Sequence, residues 1–93
     1  MVAMTDAEKA ELDILKLATE DTGKFGLQVN YPFKSQELQN AFERGLTAPW
    51  YRLVDLASIE SAPGFLFRIF HLTVEGRARL LALKRKSGEI VNH

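Results

Sequence analysis

The sequence predicts a small α+β domain with three or four helices and a short antiparallel sheet. Its 93 residues suffice for one hydrophobic core. The content of 46% hydrophobic and 26% charged residues is typical of globular domains. Segments with helical periodicity also alternate with segments of strand periodicity. We therefore expect one domain over residues 1–93, with its core at about 5–86 and a frayed tail at 87–93.

A first helix is predicted by the capping box of Thr5-Asp6-Ala7-Glu8, in which the first and last residues bond each other's backbone. Asp21-Thr22-Gly23 supplies its stop signal. Its apolar stripe comprises Ala7, Ala10, Ile14, Leu17 and Ala18. Leu12 and Leu15 lie beside this stripe, so they either widen the core contact or form a second contact surface.

A strand is predicted at residues 25–33, where apolar residues occupy every odd position. Pro32 has no amide hydrogen and should end the pairing. Ser35 is a suitable N-cap for a second helix over residues 36–44, with Gly45 as its left-handed terminator. We expect Leu38, Ala41 and Phe42 to point inward and Gln36, Gln39, Asn40 and Glu43 to be exposed.

Residues 50–59 and 65–73 are rich in bulky and β-branched side chains and favour a hairpin. Pro63-Gly64 between them suits the centre of a type II turn. The alternative is a helix capped by Thr47. Its buried stripe would contain Trp50, Leu53, Val54 and Ala57, which have helical spacing.

Thr73 is a predicted N-cap for a last helix from Val74 to about Lys86, ended by Ser87-Gly88. The cations of Lys84-Arg85-Lys86 suit the negative end of its dipole. Its expected inward residues are Ala78, Leu81 and Ala82.

Two passages carry a resemblance to a known family: AFERGL at residues 41–46 and LTVEGRA at residues 72–78. Over residues 35–86 the chain resembles the winged-helix (winged helix-turn-helix) superfamily, particularly the small MarR-like and PadR-like bacterial regulators. The first passage is similar to the end of a recognition helix, and the second to the junction between wing and last helix. The resemblance implies a winged-helix-like fold and a small transcriptional-regulator module that binds double-stranded DNA.

The resemblance and the side-chain chemistry suggest a DNA-binding face. In the hairpin register Gln36, Gln39, Asn40 and Arg44 would face the major groove; in the helical alternative Arg52 and Tyr51 would. Glutamine and asparagine can bond an adenine edge, and arginine and lysine neutralise phosphates. The full candidate set is Lys34, Gln36, Gln39, Asn40, Arg44, Arg52 and Arg68.

Such regulators pair their terminal helices, which implies a homodimer contact through Leu12, Leu15, Leu80 and Leu83. The same leucines could instead pack within one subunit.

A non-catalytic protein-interaction module on the same scaffold is the alternative function. The predicted second helix carries Glu37 and Glu43, and residues 60–64 contain neither lysine nor arginine. Exposed Trp50 or Tyr51, with Phe33 nearby, would then anchor the partner, because aromatic side chains dominate interface energetics. Trp50 could equally belong to the core.

Twelve basic and twelve acidic residues cancel overall, but they are separated along the chain. Residues 1–21 hold six acids and two bases, and residues 68–93 hold six bases and two acids. Two helices with such charges either pack together or are separately solvated, or the basic end forms a binding surface. The acids of the first helix are expected to be solvated.

Catalysis, metal and cofactors are not expected. The chain has no cysteine, which excludes disulfides and thiolate chemistry. His71, expected in a strand, and His93, in the tail, have no partners at ligand or triad spacing. The first twenty residues contain no long apolar stretch, so we expect no membrane segment and a cytoplasmic location.

Overall fold

A computed structural model describes residues 4–58 and 66–88 of the chain. These residues form an α+β fold with three helices and one three-stranded antiparallel sheet, which confirms the predicted fold class at this level. In chain order the elements are α1 (Asp6–Leu15), β1 (Lys24–Gln28), α2 (Gln36–Thr47), β2 (Tyr51–Ser58), β3 (Leu66–Leu72) and α3 (Val74–Lys86).

The start of α1 is confirmed in detail. The Glu8 amide donates to the Thr5 hydroxyl at 3.1 Å, and the Thr5 amide donates to a Glu8 carboxylate oxygen at 3.0 Å. The helix ends at Leu15, earlier than expected, and this leaves Leu17 47% exposed. Leu12 is buried together with Leu15. These two leucines therefore widen the core contact, which was one of the two predicted roles.

The sheet has the order β1-β3-β2, with β3 in the centre. Residues 51–58 pair with β3, so the hairpin interpretation is confirmed and the helical alternative is wrong. A β-bulge interrupts β2 between Leu53 and Asp55, which explains the imperfect alternation there. β1 is shorter than predicted and ends before Pro32. The expected turn at Pro63-Gly64 lies outside the described residues.

Four aromatic rings form the centre of the core. Phe25, Phe42, Tyr51 and Phe70 contact one another with ring centroids 5.2–5.7 Å apart. The Tyr51 hydroxyl donates to the Phe42 carbonyl oxygen at 2.6 Å. Phe42 thereby attaches α2 to β2 and β3, and Phe25 of β1 packs against the rings of Tyr51 and Phe70.

Gly45 does not terminate α2, contrary to expectation. The helix continues to Thr47, and Gly45 lies buried within it. A Cβ atom there would collide with the Tyr51 ring and hydroxyl. The residue is glycine because the aromatic ring passes close to the helix backbone, and no left-handed conformation is involved.

Helix α3 begins and ends where the sequence predicted. Thr73 caps its first turn by accepting from the Gly76 amide at 3.0 Å, and Gly88 follows it with φ +84°. Its expected inward face was wrong, because Leu83 and Gly76 are buried whereas Ala78, Leu81 and Ala82 are exposed. The face turned inward is the one that meets α1 and the start of β2.

The acidic and basic ends of the chain pack together, as one interpretation of the charge pattern predicted. Lys86 Nζ on α3 lies 2.6 Å from Glu8 Oε2 on α1. Arg79 Nη2 lies 2.6 Å from Glu11 Oε2. Among the described residues, none of the helices has the length and apolar character required to cross a membrane.

Candidate functional site

The outer face of α2 presents the predicted polar side chains. Gln36 and Gln39 are exposed, and Lys34 is exposed just before the helix begins. Asn40 is half-buried, and its Oδ1 accepts from Gln36 Nε2 at 2.9 Å. This part of the predicted set lies on one accessible surface.

Arg44 forms an ion pair with α1. Its Nε lies 3.2 Å from Glu11 Oε1, while Arg79 occupies the other oxygen of the same carboxylate. Arg79 also lies over the Trp50 ring, 5.3 Å from its centroid. Glu11 is only 6% exposed, so the expectation that the acids of this helix are all solvated is wrong for it. No local signal in the sequence marks Glu11 as a functional residue, because only the position of α2 and α3 beside α1 makes it inward-facing.

The other predicted phosphate-binding cations do not converge with α2. Arg52 is paired opposite His71 and follows the buried Tyr51, so it belongs to the opposite face of the sheet. Arg68 is on the same side of the sheet as α2, but its guanidinium carbon lies over the rings of Phe42 and Phe70, at 5.6 and 5.7 Å. The expected cluster of phosphate contacts is therefore not assembled.

The predicted dimer contacts are part of the interior. Leu12, Leu15 and Leu83 are 7%, 0% and 1% exposed, and Leu80 packs against the same core. These leucines hold one chain together, so the dimer surface expected from them is wrong.

The expected aromatic anchors are likewise not free. Tyr51 is 1% exposed, and Trp50 and Phe33 are half-buried against the core.

An apolar surface that the sequence did not reveal lies between α2 and the outer half of the hairpin. Arg68 is opposite Leu56, and Leu53 is opposite Phe70, which places both leucines on the α2 side of the sheet. The amide of Val29 donates to the Leu66 carbonyl at 2.8 Å and extends this side. We call this surface the apolar face. Its exposed members are Val29 (37%), Tyr31 (42%), Leu46 (40%), Leu53 (49%), Leu56 (55%) and Leu66 (41%).

A cavity of about 320 Å³ opens on the apolar face. Arg68 lies at its wall and occupies the central strand, between Leu27 of β1 and Leu56 of β2. Its Nε is buried and has no hydrogen-bond partner in the part of the chain that the structure describes. The cavity is lined by Val29, Tyr31, Phe33, Gln39, Phe42, Glu43, Leu46 and Arg68.

The free edge of β2 is poorly suited to strand pairing. The bulge between Leu53 and Asp55 interrupts it, and Asp55 Oδ1 accepts from the Leu56 amide at 2.8 Å. Bulges and charged side chains are the usual means by which edge strands avoid pairing with other strands. The apolar face, and not the strand edge, is therefore the accessible contact surface of the hairpin.

Two titratable groups are perturbed by their surroundings. The hydrogen bond from Lys86, followed by the Thr5 amide, lowers the pKa of Glu8 from its usual 4.5 to about 2. Burial raises the pKa of Tyr51 well above its ordinary value. Glu8 connects α1 to α3, and Tyr51 connects β2 to α2.

No candidate metal centre occurs in residues 4–58 and 66–88, where no three His, Asp or Glu side chains cluster suitably. His71 lies in β3, as expected, and His93 falls outside those residues. Comparisons with family models, curated proteins and solved structures gave no match.

Proposed function

We propose that this chain is a non-catalytic module on a winged-helix-like scaffold that binds another protein through the apolar face. The observation that carries the proposal is that six large apolar side chains, each more than a third exposed, lie on the apolar face, where three of them (Val29, Tyr31 and Leu46) line its cavity. Contiguous exposed apolar surfaces on small domains usually mark contacts with partners. The other exposed large hydrophobics of the described residues are Leu17 after α1, Val54 at the β2 bulge, and Val74 and Leu81 on α3.

The winged-helix-like scaffold is supported by the order of elements. A helix precedes the hairpin, a further helix follows it, and β3 lies between β1 and β2. AFERGL falls within α2, and LTVEGRA spans the junction of β3 and α3. The chain differs from the family in having one helix, α2, between β1 and the hairpin where a winged helix has two.

The charge distribution favours a protein over DNA. Arg44 is compensated by Glu11, and α2 itself carries Glu37 and Glu43. Of the candidate cations without an ion pair among the described residues, Lys34 precedes α2 and Arg68 lies on the α2 side of the sheet, whereas Arg52 belongs to the far side. Neutralising about two phosphates would give a salt slope of only about −2, which corresponds to weak binding.

Double-stranded DNA is the second candidate, and one observation favours it. Gln36 and Gln39 are exposed on the helix that occupies the recognition position in the winged-helix resemblance. In that case the chain would act as a small transcriptional regulator, and a homodimer would need a contact other than the buried leucines.

The decisive experiment compares two leucine variants of the whole chain. Leu53→Ser with Leu56→Ser makes the apolar face polar, and Leu81→Ser removes an exposed leucine from α3 as a matched control. We expect a cellular protein captured by wild type and by Leu81→Ser to be lost with the double variant. Capture that is equal for all three forms would contradict the proposal.

DNA is tested in parallel by a mobility-shift titration with mixed duplex DNA at low salt. We expect no retardation at tens of micromolar protein. Retardation that Lys34→Glu abolishes would favour the regulator function. Lys34 is exposed and its replacement leaves the core intact, whereas replacing Arg44 would also break its contact with Glu11.

A further inference from the structure

Arg68 gives the apolar face a specific chemical requirement. We infer that the partner segment carries one aspartate or glutamate, flanked by apolar side chains, whose carboxylate binds the Arg68 guanidinium. This inference rests on the proposed function and specifies the chemistry of its partner.

Arg68 has no counter-ion among the described residues. Glu8 and Glu11 are paired with Lys86, Arg44 and Arg79, and none of these ion pairs includes Arg68. Glu43 lines the same cavity but makes no salt bridge with it. The described residues therefore leave the guanidinium uncompensated in the middle of an apolar surface.

Docking of a partner would remove the Arg68 charge from water. A partner that covers Leu53, Leu56 and Leu66 removes water from the neighbouring guanidinium. Burying a cation without a partner is strongly unfavourable, and a carboxylate with good geometry restores the lost interactions. A purely apolar segment would therefore bind this face poorly.

Arg68 is held in place before binding by its aromatic neighbours. Its guanidinium lies over Phe42 and Phe70, and arginine stacks on aromatic faces while its N–H groups remain available at its edge. Its buried Nε is a donor without an acceptor among the described residues. A planar, positioned guanidinium binds carboxylates with two parallel hydrogen bonds, which favours an acidic residue over a neutral one.

A second copy of the chain is a less suitable occupant. Arg68 lies at the centre of the face, and a twofold axis through that centre would bring two uncompensated cations together. Like charges in a desolvated interface disfavour association.

The test uses short random peptides displayed on phage and selected on the whole wild-type chain. We expect the enriched sequences to contain an acidic residue between apolar residues. A synthetic peptide of that sequence should lose about tenfold in affinity, which is about 1.4 kcal/mol, when its acid is replaced by the amide, and similarly with Arg68→Gln, because a charge-assisted hydrogen bond is lost in each case. Arg52→Gln, a matched change on the other sheet face, should leave the affinity unchanged.

Reversing the charge of Arg68 distinguishes the loss of a specific ion pair from general damage to the fold. Arg68→Glu should reject the acidic peptide and bind the same peptide with lysine at the acidic position. Circular dichroism checks that each variant keeps the wild-type fold.

Three results would overturn the inference. If enriched peptides require Leu53 and Leu56 but show no acidic preference and no response to Arg68→Gln, the inference fails and the proposed function stands. If no selected peptide depends on the two leucines, both fail. If wild type sediments as a dimer that Leu53→Ser with Leu56→Ser dissociates, the occupant is a second copy and the inference fails.

Discussion

Glu11 is the residue that connects all three helices of the described chain. It comes from α1, and its two oxygens accept from Arg44 of α2 and Arg79 of α3. A carboxylate this deeply buried needs partners, because an unpaired buried charge is costly. The two arginines are themselves 41% and 34% exposed in their side chains, so water shares their solvation.

We expect Glu11→Gln to lower the free energy of unfolding by about 2 kcal/mol, because two charge-assisted hydrogen bonds become neutral ones while the volume is kept. The loss should be smaller than for a fully buried pair, since both arginines reach solvent. Urea unfolding followed by circular dichroism measures it. Asp13→Asn, which removes a charge from the exposed side of the same helix, should have little effect; equal losses for both variants would contradict the role given to Glu11.

At the scale of elements, the start of β2 is held between two helices by two glycines. Gly45 of α2 lies against the Tyr51 ring, and Gly76 of α3 lies against the Trp50 carbonyl. The Thr73 hydroxyl adds a hydrogen bond to the Pro49 carbonyl at 2.8 Å. Because these glycines have no Cβ atom, both helices approach the strand closely. This close contact sets the orientation of the hairpin relative to α2 and α3.

We expect Gly45→Ala to destabilise the chain by up to about 2 kcal/mol. Alanine favours a helix over glycine by about 1 kcal/mol, but forcing its Cβ against Tyr51 costs about 1–3 kcal/mol. Thermal unfolding of this variant beside Thr47→Ala measures the balance, because Thr47 is an exposed position of the same helix. A Gly45→Ala variant more stable than wild type would show that Tyr51 can shift without loss.

Over the whole molecule, the first and last helices are joined by opposite charges. The two oxygens of Glu8 are divided between the Thr5 amide and Lys86, so one carboxylate both caps α1 and contacts the end of α3. The pairing joins the acidic and basic ends of a chain whose net charge is zero. Together with the contact between Glu11 and Arg79, it compensates two of the six bases in residues 68–93.

We expect the stabilisation provided by Lys86 to depend on pH. Because the pKa of Glu8 is lowered from 4.5 to about 2 in the folded chain, this stabilisation is complete above about pH 5 and is lost as the pH falls towards 2. The difference in unfolding free energy between wild type and Lys86→Gln should therefore shrink over that interval. Arg85→Gln removes an exposed charge from the same turn, and its difference in unfolding free energy from wild type should not depend on pH. A Lys86→Gln difference that is undiminished at pH 2 would refute the coupling between Glu8 and Lys86.

Local chemistry made the starts of the helices predictable. Thr5, Ser35 and Thr73 each cap the helix that the sequence assigned to them, since a capping bond spans only three residues. The hairpin followed from two β-prone segments of similar length. Positions whose role depends on distant residues were predicted less well, and Gly45 is the clearest case, because Tyr51 lies six residues further along the chain.

The sequence by itself determined that the chain builds an α+β domain and where its helices begin, but it left open whether its oppositely charged ends meet. The tertiary structure alone decided which charges remain available. It buried Glu11 between Arg44 and Arg79, separated Arg52 from α2, and surrounded Arg68 with exposed leucines. The physical reason is that caps and periodicity act over a few residues, whereas the compensation of a charge depends on side chains brought close by folding.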